Sequence, residues 1–108
     1  MGFTKKHIFD AQQNQIASFT KMLGHPARVS IIQHISQNKN CNCNTLVKAI
    51  GLAQPTISQH LAEIRNTGLL KQTVKGKNLF YSIDQDKLNA CRRVLNDFFV
   101  KTQINSSK

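Results

Sequence analysis

Between Ile57 and Ile83 the apolar residues change their spacing, and few folds accommodate that change in so short a stretch. Ile57, Leu61 and Ile64 recur at steps of four and three, which puts them on one face of a helix. Asn66-Thr67-Gly68 stops that helix. The segment LLKQTVKGKNLFYSI then runs at period two, with Leu79, Tyr81 and Ile83 alternating with Asn78, Phe80 and Ser82. Period two belongs to a strand, and Lys75-Gly76-Lys77 supplies a hairpin tip with its glycine in the turn.

Helical spacing governs the rest of the chain. Ile8, Phe9, Ile16, Phe19 and Leu23 predict a first helix over 6–23, ended by Gly24. His25-Pro26 opens a second helix, since proline is tolerated in a first turn. Val29, Ile32 and Ile35 form its stripe, widened by Ile31. NKNCNCN is polar and turn-rich, a loop or a frayed helix start. TLVKAIG is a short third helix with Leu46, Val47 and Ile50 inward and Gly51 as its C-cap. After a tight turn at Leu52-Ala53, Gln54 enters the fourth helix, with Pro55 as its first helical residue. Asp84 caps a last helix over 85–103, whose seam is Leu88, Cys91, Leu95 and Phe98, broadened by Val94 and Phe99. INSSK reads as a frayed tail.

The order is helix, helix, helix, helix, hairpin, helix. Two short helices a few residues apart, followed by a basic two-stranded wing, make a winged helix-turn-helix: a mainly α fold with a small β-hairpin. One domain accounts for 1–108, with a reading helix at about 54–67 and a wing at about 69–83.

Charge then narrows the partner. The 108 residues carry 15 Lys and Arg against 5 Asp and Glu, a formal charge of +10. A surplus this large on a small chain calls for an anionic partner. No apolar run approaches the roughly 20 residues of a membrane span, so nucleic acid leads and no membrane partner is expected. MGFTKKHIFDAQQ has two lysines but no apolar region behind them, which predicts no secretory leader and a cytoplasmic protein. Three cysteines cannot close a disulfide framework, and reduced thiols fit that compartment. No paired carboxylates and no nucleophile–base arrangement suggest an enzyme.

In a helix-turn-helix the second helix lies in the major groove and its N-terminal part reaches base edges. With Ile57, Leu61 and Ile64 facing inward, Gln54, Thr56, Ser58, Gln59 and His60 lie partly or wholly outside. Gln can bond adenine bidentately, and Thr offers a hydroxyl or a methyl to thymine. Ser58 and His60 equally suit phosphates, which fix register without reading sequence. Any one of these could be an ordinary solvated residue. Together with Arg65, Lys71, Lys75 and Lys77, and with Glu63 as the sole acid on the face, they read as a DNA-binding surface. Lys75 and Lys77 flank the wing turn, where they would straddle a DNA backbone.

From Cys41 to Asp84 the chain resembles the ArsR/SmtB family of winged-helix repressors. The resemblance lies in C-x-C, then a short helix, then QPTISQHLAEIRNTGLL and VKGKNLFYSI. Gln54, Pro55, Ser58, His60, Leu61, Arg65, Gly68 and Leu69 occupy the places of that family's recognition signature, with Ile64 for its usual leucine. Gly76, Lys77 and Tyr81 match its wing, and HPAR at 25–28 its second helix. The resemblance implies a homodimer that binds a palindromic operator in double-stranded DNA and represses neighbouring genes. The first and last helices, about 6–23 and 85–103, would form the dimer interface. The last helix reads that way unaided, since Leu88, Leu95, Phe98 and Phe99 are more apolar surface than a small monomer exposes.

The resemblance also bears on the cysteines. Cys41-Asn42-Cys43 matches the start of the family's arsenite-sensing motif, but the third cysteine's place is held by Leu46. Cys91 or an outside thiol would have to complete the site, although a cysteine on an apolar seam is most often a small core residue. Cys41 and Cys43, in a polar loop, are expected to be accessible. Three readings stay open for them: binding of arsenite, antimonite or a soft metal ion, reversible oxidation, or no ligand role. The family's zinc site on the last helix is absent, since QDKLNACRRVLNDFFVKTQ lacks histidine. His25 and His34 read as structural, and His7 is unassigned. The function expected is a DNA-binding repressor released by a thiol-reactive inducer, with no required cofactor. The alternatives are a repressor without a small ligand and a thiol-redox or soft-metal carrier.

Overall fold

The computed structural model describes residues 8–104. Among them the elements run α1 (Ala11–Met22), α2 (Pro26–Gln37), α3 (Cys43–Ile50), α4 (Gln54–Asn66), β1 (Leu70–Lys75), β2 (Asn78–Ile83) and α5 (Gln85–Lys101). This is the winged helix-turn-helix order.

Capping chemistry sets where the helices begin. Asp10 Oδ1 accepts from the Gln13 backbone N–H at 2.7 Å, and Gln13 Oε1 accepts from the Asp10 N–H at 3.0 Å. This reciprocal capping box starts α1 at Ala11. The helix expected over 6–23 is therefore shorter. Ile8 and Phe9 precede it at 76% and 51% exposure, while positions 6 and 7 lie outside the described residues. Its buried side chains are Phe19 and Met22, and Leu23, expected inward, is an exposed cap.

α2 begins with Pro26 behind a His25 cap. Its buried row is Ala27, Ile31 and Ile35, at strict i, i+4 steps. Ile31 and Ile35 are inward as expected, whereas Val29 and Ile32, the rest of the expected stripe, sit one step round the helix and are only half-buried. α2 must face α3, α4 and β2 at once, and that turns the 27–31–35 row inward.

Asn42 caps α3 by a second box, with Asn42 Oδ1 accepting from Thr45 N–H and Thr45 Oγ1 from Asn42 N–H. α3 thus starts at Cys43, two residues before the expected TLVKAIG. Gly51 ends it at φ 85°, a left-handed cap that glycine adopts without a Cβ penalty. In α4 the first helical residue is Gln54 and Pro55 the second, one place later than expected.

β1 and β2 pair antiparallel from Leu70↔Ile83 to Lys75↔Asn78. A two-residue Gly76-Lys77 turn joins them, with Gly76 at φ 62°. Cys41 adds a one-residue bridge to Tyr81, whose N–H donates to the Cys41 carbonyl at 2.8 Å. Asp84 caps α5 through the Lys87 N–H, as the spacing predicts, and α5 ends at Lys101, short of 103. The core gathers Ile31, Cys41, Leu46, Ile57, Ile64 and Leu69, each under 2% exposed. Among the described residues no helix is long and apolar enough to cross a membrane.

Candidate nucleic-acid interface

The face of α4 is built from the inside out. Ile57 and Ile64 are fully buried and Leu61 nearly so. Each such side chain contributes about 1.5–3 kcal/mol on burial, so together they pin the helix's rotation about its own axis. Gln54, Thr56, Ser58, Gln59 and Arg65 are consequently exposed, and His60 is half-buried at the edge. Among the described residues, side chains of Asp10, His25, Asn42 and Asp84 cap the other four helices, whereas Ala53 gives α4 no side-chain cap. The Gln54 and Thr56 N–H groups at the start of α4 therefore keep hydrogen-bonding capacity for an outside acceptor, Pro55 having none, and the helix dipole favours an anionic one.

His60 is held by neighbours that spacing alone does not reveal. Arg28 Nε donates to His60 Nδ1 at 3.1 Å, and the His25 and His60 rings lie 4.6 Å apart, tilted by 56°. Arg28 also donates to the Lys21 carbonyl at 3.2 Å, and His25 Nδ1 accepts from the Ala27 N–H at 3.0 Å. Because Nδ1 accepts, the His60 proton sits on Nε2. Burial first, then the nearness of His25 and Arg28, pushes the His60 imidazole below its ordinary range, with Glu63 opposing. The ring is thus neutral and presents an N–H donor rather than a charge. His25 and Arg28 belong to this site as positioning residues. No periodicity links position 28 to position 60.

The wing extends the basic surface. Lys71, Lys75 and Lys77 are exposed, and Lys75 Nζ lies 6.0 Å from the centroid of the Phe80 ring. A cleft lined by Ser58, Leu61, Arg65, Gln72 and Tyr81 separates α4 from the hairpin. Ser58 and Arg65 thus face the hairpin across this cleft, while register puts Lys71 and Lys75 on the hairpin's other face and Lys77 at its tip.

The cysteines divide differently from expectation. Cys41 is 1% exposed, because its bridge to Tyr81 turns the side chain into the core, where Sγ lies 3.9 Å from the His34 carbonyl. It is not the accessible loop thiol its asparagine neighbours suggest. Cys43, the first residue of α3, is half-buried, and its Sγ accepts from Gln54 Nε2 at 3.8 Å. Cys91 is buried, and burial raises its thiol pKa, with Lys87 opposing. Among the described residues no three His, Cys, Asp or Glu side chains cluster as a metal site. The structure does not assemble Cys41, Cys43 and Cys91 into a ligand set.

Residues 25–72 match the family described as bacterial regulatory protein, arsR family. The transcriptional repressor PagR of Bacillus anthracis is 31% identical over 80 residues, covering 74% of this chain and 80% of the relative. An ArsR-like transcriptional regulator from Rhodococcus sp. RHA1 superposes with a TM-score of 0.74 at 18% identity, over 85% of this chain and 86% of that one. A homodimeric winged helix-turn-helix DNA-binding domain from Mycobacterium bovis superposes with a TM-score of 0.66 at 20% identity, covering 91% of each chain.

Proposed function

This chain belongs to the arsR family of bacterial regulatory proteins, and on that premise we propose that it is a homodimeric repressor of a palindromic operator. The observation that carries the reading is α4: a polar, uncapped ridge held outward by Ile57, Leu61 and Ile64. Gln54, Thr56 and Gln59 stand where base edges would be read. Ser58, His60 Nε2–H, Arg65, Lys75 and Lys77 serve the phosphates. The relatives support it, since PagR is named a transcriptional repressor.

Two reading helices one DNA turn apart, about 34–36 Å, require a dimer. The exposed apolar end of α5, Phe98 to Val100, suits that contact. Gln12 Nε2 donates to Asp97 at 3.2 Å, which ties α1 to the same helix. With chromosomal DNA as partner, the place of action is the cytoplasm.

Release by a thiol-reactive agent such as arsenite, antimonite, a soft metal ion or an oxidant is favoured by one contact. Cys43 Sγ touches the side chain that opens α4, so a group added at that sulfur displaces Gln54. Cys41 and Cys91 are too buried to be the point of entry.

The test is fluorescence anisotropy with the duplex upstream of the protein's own gene and with a scrambled duplex, over a salt series. Tighter binding to the native duplex by at least about a thousandfold is the expected result for a specific site. Equal affinity for the two duplexes at every salt concentration refutes the reading.

A further inference from the structure

On the outer face of the wing, away from α4, the structure carries a groove of about 560 Å³ of which the repressor reading uses only Lys75. Register places Thr73, Lys75, Phe80 and Ser82 on that face, since Thr73 pairs with Phe80 and Lys75 with Asn78. The opposite wall is the end of α2 and the loop Asn38–Asn40. That loop is held in shape. Asn38 Nδ2 donates to the His34 carbonyl at 2.9 Å, Asn40 turns the chain at φ 59°, and the Cys41–Tyr81 bridge fastens it to β2.

The lining chemistry is selective. Ile35 and the half-buried Phe80 ring give apolar surface, and Lys39 and Lys75 line the groove from opposite walls. Among the described residues no Asp or Glu lines the groove. Its volume falls within the roughly 300–1,000 Å³ of small-molecule sites. Apolar walls with two cations and no acid fit an aromatic body carrying one negative charge, and they disfavour a cation or a neutral sugar.

We propose that this groove binds a small aromatic carboxylate, seated on Phe80 and paired to Lys39 and Lys75, and that the occupant competes with the DNA backbone for Lys75. The binding itself is independent of the repressor reading; its effect on DNA rests on that reading. The device needs no metal and no thiol. A carboxylate on Lys75 removes one phosphate contact from each wing, and in a dimer both wings are affected.

The test uses 1-naphthoate as probe and 1-naphthamide as its uncharged counterpart, by isothermal titration calorimetry on the full chain. Naphthoate is expected to bind, and naphthamide to bind about tenfold more weakly, the loss of one partly desolvated charge pair. Lys39→Glu, at an exposed position that leaves the fold intact, is expected to weaken naphthoate by at least the same factor. Phe80→Ala is expected to do so for both probes. Lys48→Ala, which removes an exposed charge on α3 outside the groove, is the control and should change neither. Naphthoate binding unaltered by Lys39→Glu, equal affinity for the two probes, or no binding at millimolar concentration overturns the site. Naphthoate should also weaken the wild-type DNA complex and leave that of Lys39→Glu unchanged. Tight naphthoate binding with undiminished DNA affinity overturns the competition at Lys75.

Discussion

Arg28 Nε donates to His60 Nδ1 across 3.1 Å and so ties the first turn of α2 to the middle of α4. The bond exists only while Nδ1 keeps its lone pair. A protonated ring cannot accept it, and would carry its charge beside a guanidinium.

This bond makes stability depend on pH. The folded His60 has a lowered pKa, through burial and then through His25 and Arg28. The unfolded chain therefore takes up the proton first, and stability is lost as pH falls through the ordinary histidine value of about 6.5 towards the folded one. Thermal melts between pH 7.5 and 5.0 should show a falling midpoint for the wild type. His60→Asn, whose side-chain oxygen can still accept from Arg28, should flatten part of that fall. Asp97, whose carboxyl is held low by Lys101 and Gln12, loses its contribution only below the ordinary carboxylate range and does not interfere. Identical slopes for the two proteins would show that His60 does not report this contact.

The division between base reading and phosphate holding can be measured at two positions. Gln59→Ala should weaken the native duplex by about 1–3 kcal/mol and leave the scrambled duplex nearly untouched. Lys77→Ala should weaken both equally and lower the salt slope by about one. Equal losses on both duplexes for Gln59→Ala would remove it from the reading set.

Two cysteines one residue apart should respond oppositely to the same change. Cys41→Ser places a hydroxyl in a site that is 1% exposed. A buried hydroxyl without a good partner costs about 1–3 kcal/mol, so the melt should fall while the thiophile response persists. Cys43→Ser should melt like the wild type and lose any release of DNA by phenylarsine oxide. Release that survives Cys43→Ser and vanishes in Cys41→Ser would reverse the assignment.

Much of this architecture is legible in residue spacing, because helix period, strand period and turn residues are local signals. The row Ile57–Leu61–Ile64, the Gly76 turn, the Gly51 cap and the Asp84 cap all belong to that class. What spacing misses is set by partners distant in sequence. Cys41 looks like a loop thiol because Asn40 and Asn42 flank it, and only Tyr81, forty residues on, draws it inward. The α2 stripe is rotated from the expected one because three elements compete for that helix. Asp10 carried a legible signal, since an Asp three residues before a Gln is a capping box, and it outranks the apolar spacing of Ile8 and Phe9. The Arg28–His60 contact has no counterpart in any periodicity.

The apolar end of α5 carries the last prediction. Phe98 is 39%, Phe99 63% and Val100 60% exposed, and the two rings touch at 5.6 Å between centroids. Contiguous aromatic surface of this kind marks an interface. Phe99 contributes little to the protomer's own core at that exposure, so Phe99→Glu should leave the helical circular dichroism intact. It should convert a dimer into a monomer in sedimentation velocity, because a carboxylate at the two-fold contact meets its own copy. DNA affinity should then fall by about 10²–10⁴, the avidity lost when two half-sites are no longer engaged together, and the slope against salt should become shallower. A wild-type protein that sediments as a monomer, or a Phe99→Glu variant that binds the native duplex undiminished, would separate DNA recognition from this face of α5.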